Sequence, residues 1–187
     1  LGCPTTLDME TGWWDPVLTD DEWDVTSLRI DRQHRWWKFT LELLRRAAQE
    51  SAGKSIPSIG AFGGSGDTLA ALRGTEQLLF DVSLVPERVQ QAERHLMDMW
   101  CEVYDTFYQI IRPAAGGSTC WFRLWSPGRF YAAQNDFSYM ISPEMFRNLF
   151  LPTIERQTQF LDHTVYHVDG IGAFRHLPAL LELPRLQ

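Results

Sequence analysis

Lysine is nearly absent from this chain, with Lys38 and Lys54 the only two in 187 residues. Lys+Arg number 17 against 24 for Asp+Glu, the formal net charge is −7, and no basic run occurs. Nucleic acids and anionic membrane surfaces are held by clustered cations, so neither is an expected partner; small molecules and proteins are. Cysteine is sparse as well. Cys3, Cys101 and Cys120 are an odd, widely spaced set with no C-x-x-C zinc or redox spacing. They fit incidental thiols in a reduced compartment, and a cytoplasmic location is expected. No apolar run is long enough to span a bilayer, and no signal peptide is visible. The chain opens at Leu1 and stops at Gln187, which reads as an excised segment.

Apolar residues are plentiful. At 44% hydrophobic the chain can bury a sizeable core, which excludes general disorder. The first thirty residues are rich in Trp, Asp and Pro and show no period. Asp31 is placed to cap a helix carrying Trp37, Leu41, Leu44 and Ala48 at helical spacing, ended by Gly53. Residues 56–62 are short, apolar and glycine-bounded, as a buried strand would be. The turn Gly63-Gly64-Ser65-Gly66 leads to Asp67, a good cap for the next helix. Pro86 opens the longest helix, expected to run to about Ile111. Its apolar stripe of Val89, Ala92, Leu96, Met99, Val103, Phe107 and Ile110 steps by three and four. Further strands are expected at 119–125, 130–136 and 164–169. Between the last two, Ser142 caps a helix that Pro152 should kink. Strands alternating with helices are an α/β pattern, which an open doubly wound sheet and a (β/α)8 barrel both satisfy.

Several motifs carry candidate chemistry. A-Q-E-S-A-G-K-S at residues 48–55 matches a loose phosphate loop, but with the helix before and the strand after it, the reverse of what a phosphate cradle needs. Ser65 does not sit in G-x-S-x-G, because Asp67 fills the last position, so a serine hydrolase is poorly supported. In Tyr166-His167-Val168-Asp169-Gly170, strand alternation puts His167 and Asp169 on one face at a strand's carboxyl end, where α/β folds build sites. An imidazole and a carboxylate suit a divalent metal or acid–base work; a histidine held by a local aspartate is the plainer alternative. Gln134-Asn135-Asp136 ends another strand, with Gln134 and Asp136 on a common face. Trp121, Trp125, Phe130 and Tyr131 surround that region and could hold a flat or apolar ligand. Trp13, Trp14, Trp36 and Trp37 read as packing.

The run Asp67-Thr68-Leu69-Ala70-Ala71-Leu72-Arg73-Gly74-Thr75-Glu76-Gln77-Leu78-Leu79-Phe80-Asp81, then Val85-Pro86-Glu87-Arg88-Val89, resembles the D-x-L-x-x-L-R-G-x-E-x-L-L-x-D…P-E-x-V signature of the uroporphyrinogen decarboxylase superfamily. Ile141-Ser142-Pro143-Glu144-Met145-Phe146 with Leu151-Pro152 is similar to its S-P-E-x-F…P segment. His167-Val168-Asp169-Gly170 falls where its corrinoid-dependent methyltransferases carry H-x-C-G, with Asp169 in place of the cysteine. The likeness runs from about Pro57 to the end, so residues 1–55 form an irregular segment plus helix and residues 56–187 the C-terminal portion of a barrel. It implies a partial (β/α)8 TIM barrel of parallel strands alternating with helices, since a whole one takes about 250 residues. It also implies an enzyme transferring a methyl group, with a thiol acceptor and a corrinoid, or a corrinoid protein, as partner. Zinc or another divalent metal on His167 and Asp169 is the implied cofactor. Uroporphyrinogen-type decarboxylation is the alternative, although the R-Q-A-G-R-Y motif of that branch is absent; a non-catalytic barrel binding corrinoid or tetrapyrrole is a second. His167 and Asp136 are the expected catalytic residues. Gln134, Trp125, Gly64 and Ser65 are the expected substrate contacts, with the glycine loop and Trp125 on the rim of one cavity.

Overall fold

The computed structural model describes residues 2–10 and 12–187. About 53% of the chain is helical, so helix packing carries most of the core. The longest element is α4 (Pro86–Ala115), which has earlier helices α1 (Arg35–Glu50), α2 (Ser65–Arg73) and α3 (Thr75–Leu84) packed against it. Local chemistry sets its ends. Pro86 stands in the first turn, where its missing N–H costs nothing, and Gly116 takes the left-handed φ of 66° that closes the C-terminus on Arg112. The helix continues past Pro113, because one proline in the last turns removes a single backbone bond.

Two hydrophobic clusters meet on α4. Val89, Leu96 and Met99 join Leu69, Leu72, Phe146 and Phe150 in the first. Met97, Trp100, Tyr104 and Ile111 join Leu44, Tyr131 and Leu161 in the second. The second contains a chain of aromatic contacts, with Phe62 stacked on Trp100 at 5.1 Å and Trp100 on Tyr104 at 5.2 Å.

The strands are shorter and fewer than the sequence pattern predicts. Thr5–Leu7 (β1) and Gly12–Trp14 (β2) form an antiparallel hairpin. The expected strand at 56–62 is an extended loop; Ile59 N–H donates to the Thr119 carbonyl at 3.0 Å, and Gly60 then takes φ 80°. The expected strand at 119–125 folds back on itself. Arg123 adopts φ 57°, so that Ser118–Thr119 (β3) pairs antiparallel with Trp125–Ser126 (β4). Only Phe130–Ala133 (β5) and His163–Tyr166 (β6) keep the expected parallel relation, with Ala133 opposite Tyr166. The fold is therefore mixed α/β with one short parallel pair, and no closed barrel is present among the described residues.

After β5 come a 3₁₀ turn (Asp136–Met140), the short helix α5 (Pro143–Met145) and a π-turn at Phe146–Phe150 leading into α6 (Leu151–Phe160). The expected kink at Pro152 thus takes the form of a π-turn just ahead of it. Proline cannot donate to Asn148 four residues back, and that carbonyl accepts the Gln90 side-chain amide at 2.9 Å instead. A 3₁₀ turn (Ile171–His176) and α7 (Leu177–Leu180) follow β6. Among the described residues no helix is long and apolar enough to cross a membrane.

Residues ahead of α1 are tied in through a buried cation. Arg73 Nε donates to Asp81 at 2.7 Å, and its Nη1 donates to the carbonyls of Leu18 at 2.8 Å and Asp20 at 2.9 Å. Leu18, Trp23 and Val25 are buried in the first cluster as a result. The Arg and Asp of the D-x-L-x-x-L-R-G…D run therefore join α2, α3 and the N-terminal segment. Removing the cation leaves Asp81 unpaired in a site where its side chain is 10% exposed. Arg73→Met is expected to cost about 3–5 kcal/mol in denaturant unfolding, and adding Asp81→Leu should recover much of it. Equal losses in the single and double variants would show that the pair does not hold the segment.

Candidate functional site

The parallel pairing of β5 and β6 delivers two chain segments to one place. His167 N–H donates to the Ala133 carbonyl at 2.8 Å, carrying the ladder one residue past β6. Gln134, Asn135 and Asp136 leave β5 beside it. His167 Nδ1 lies 4.0 Å from Asp136 Oδ1, is buried, and has no hydrogen-bond partner. The imidazole is held by rings instead: Trp121 meets it edge-on at 5.0 Å and Phe122 at 6.1 Å.

Asp67 completes the cluster. It lies in the first turn of α2, where the helix N-terminus favours a carboxylate. Gly64, and not Asp67, occupies the cap position. The Asp67 carboxylate instead receives the Phe137 N–H at 2.9 Å and the Gln134 amide at 3.1 Å. Gln134 Nε2 also reaches Asp136 at 3.4 Å. One amide therefore bridges two carboxylates and keeps them apart.

Charge crowding follows. Burial, then the charges of Asp67 and Asp169, push the Asp136 carboxyl above its usual range, and His167 pulls the other way. Asp169 lies beyond the end of β6 and is exposed, so its contribution to the cluster is its charge. The Tyr166 phenol, nearly buried between these groups, is raised by burial and by Asp67 and Asp136.

Three expected contacts lie elsewhere. Ser65 is 5% exposed and donates inward to Glu93 at 2.9 Å. A side chain at Gly64 would point at the Gln134 carbonyl and the Gln157 amide, so neither residue faces the carboxylates. Trp125 is pulled away by the β3–β4 hairpin; its indole donates to the Ala115 carbonyl at the end of α4 at 3.0 Å. Trp121 takes the place beside His167. Trp121 is one of the four aromatics expected around this region; no motif pointed to Asp67 as a site residue, because tertiary packing brings it there.

Glu93 was legible. It sits four residues after Val89 and seven before Trp100 on a buried helix face, where a lone carboxyl is out of place. It is 1% exposed, accepts from Ser65 and from Thr153 at 3.2 Å, and burial lifts its pKa to about 8. Asn135 links this group to the site, donating to Ser65 at 3.4 Å.

A catalytic zinc takes three protein ligands and an open position. Among the described residues no three His, Cys, Asp or Glu side chains group as an ion's ligands would, so His167 and Asp169 lack a third donor. The residues present do not fit such a centre.

No protein-family model matches the sequence, and no curated protein matches it significantly. Among solved structures the fold is similar to that of a methyltransferase from Methanosarcina mazei, with a TM-score of 0.72 at 12% identity over 97% of this chain. The chain spans 50% of that protein's length. The likeness is one of fold.

The buried carboxyl makes a pH prediction. Glu93 stays protonated in the fold up to about pH 8, whereas in the unfolded chain it ionises near 4.5. Between these values the unfolded state gives up a proton that the folded state keeps, so stability falls as pH rises. Glu93→Gln should melt several degrees above wild type at about pH 8 and converge with it near pH 4.5. A difference independent of pH would mean that Glu93 does not titrate in this window.

Proposed function

We propose that this chain belongs to a methyl-transfer enzyme and carries part of its active site at the carboxyl ends of β5 and β6. The observation that carries the reading is the His167 imidazole, with an unpartnered Nδ1 facing Asp136 at 4.0 Å. The fold likeness to a methyltransferase supports it, as does the resemblance of residues 67–89 and 167–170 to the superfamily signatures.

The pair suits activation of a thiol acceptor. His167 takes the thiol proton at its other ring nitrogen, and Asp136, ionised and facing Nδ1, stabilises the imidazolium that results. The thiolate sulfur then bonds to the methyl carbon while the electron pair of the broken carbon–donor bond leaves with the donor. Trp121 and Phe122 keep the ring aimed. A methylated corrinoid, free or on a corrinoid protein, is the proposed donor, and no step is assigned to a metal held by this chain.

The same electrostatics disfavour the decarboxylation alternative. Asp67, Asp136 and Asp169 crowd one corner, and a polycarboxylate substrate needs cations there.

The test is thioether formation from methylcobalamin and a simple thiol. His167→Gln is expected to lower the rate by about 10²-fold or more. Asp136→Asn should also lower it while raising the melting temperature, because it relieves repulsion from Asp67 and Asp169 at neutral pH. Methyl transfer no faster than in buffer would overturn the proposal, and binding of the corrinoid without turnover would leave a non-catalytic binding role.

A further inference from the structure

A cavity lies between α1, the segment leading into it, and α4. Its volume is about 370 Å³, within the range of small-molecule pockets. Trp37, Phe62, Trp100 and Phe107 line it. These rings are locked on one another: Phe62 and Trp100 are within 11° of parallel, and Trp37 packs on Phe107 at 5.9 Å. The walls are therefore flat and preformed. Trp36, on the same lining, is left 41% exposed, more aromatic surface than packing requires.

The polar groups of the lining narrow the ligand. Arg29, Asp31 and His34 line the cavity and are exposed. Arg29 Nη1 donates to the carbonyls of Thr26 and Leu28, each at 2.6 Å, which steadies the guanidinium while its other N–H groups remain. One Asp31 oxygen accepts the Gln33 N–H at 2.8 Å, and the second remains an acceptor. A carboxylate ligand would meet the charge of Asp31, and an ammonium that of Arg29. A hydroxyl, which both accepts and donates, suits both.

We propose that this cavity binds a flat, uncharged aromatic molecule bearing a hydroxyl group, its ring among Trp37, Phe62 and Trp100 and its hydroxyl at Arg29 and Asp31. The site stands apart from His167 and does not depend on the methyl-transfer reading. A track along α2 connects the two regions: Thr68 lines this cavity and the next depression, and Ala71 lines that depression and the one holding Asp67 and Asp136.

Calorimetric titration of the full chain with 2-naphthol, 2-naphthoate and saturated 2-decalol tests it. One site for 2-naphthol is expected, with both comparison ligands about tenfold weaker or worse. Thr40→Phe fills the cavity from α1 and should abolish 2-naphthol binding with unchanged circular dichroism. Asp31→Asn should bring 2-naphthoate to within about threefold of 2-naphthol. No 2-naphthol binding, equal affinity for 2-naphthol and 2-decalol, or wild-type binding by a folded Thr40→Phe would overturn the proposal. Should Thr40→Phe not fold, Asp31→Asn decides, and an unchanged preference for 2-naphthol over 2-naphthoate overturns it.

Discussion

Helix α4 is buried on two sides, and the rest of the molecule depends on that. One side packs on α2, α3 and the π-turn region, and the other faces β5 and the aromatic cluster. A helix covered this way can hold a strand pair and a layer of helices in fixed relation without a large sheet. It also explains the tolerance of a carboxyl at Glu93. Ser65 and Thr153 approach from opposite neighbours and satisfy one oxygen, and the proton that burial retains removes the charge.

The candidate site inherits its order from that arrangement. Ser65, anchored on Glu93, begins α2, and two residues later Asp67 reaches across to Gln134 and Phe137. Asp136 is thereby held near His167 despite the repulsion of Asp67 and Asp169. Carboxylates kept close against their mutual repulsion are a common mark of a working site, because folding alone would separate them.

The N-terminal segment has a larger part than its irregular sequence suggests. Arg73 fastens it at Leu18 and Asp20, and α1 then lies along α4. Trp36 and Trp37, readable as packing alone, become walls of a cavity. That outcome depends on where α1 is set down relative to Phe62 and Trp100, residues far away in the chain.

The sequence alone determined what depends on near neighbours. The stripe of α4, the cap at Ser142 and the left-handed stop at Gly116 follow from local spacing or single-residue geometry, whereas the strands expected to run to Asp136 and Asp169 stop at Ala133 and Tyr166. The proximity of Gln134, Asp136 and His167 was also legible, since strands of one parallel pair end on the same side. Tertiary structure decided the rest. Residues 56–62 and 119–125 have the composition of strands, yet a strand needs a partner edge to satisfy its backbone. Left-handed turns at Gly60 and Arg123 end the approach before a ladder can form. The placing of Asp67 and Trp121 at the site, and of Trp125 away from it, likewise depends on contacts between residues distant in sequence. No local period encodes these contacts, because their energy comes from burying surfaces that meet only once the chain has folded.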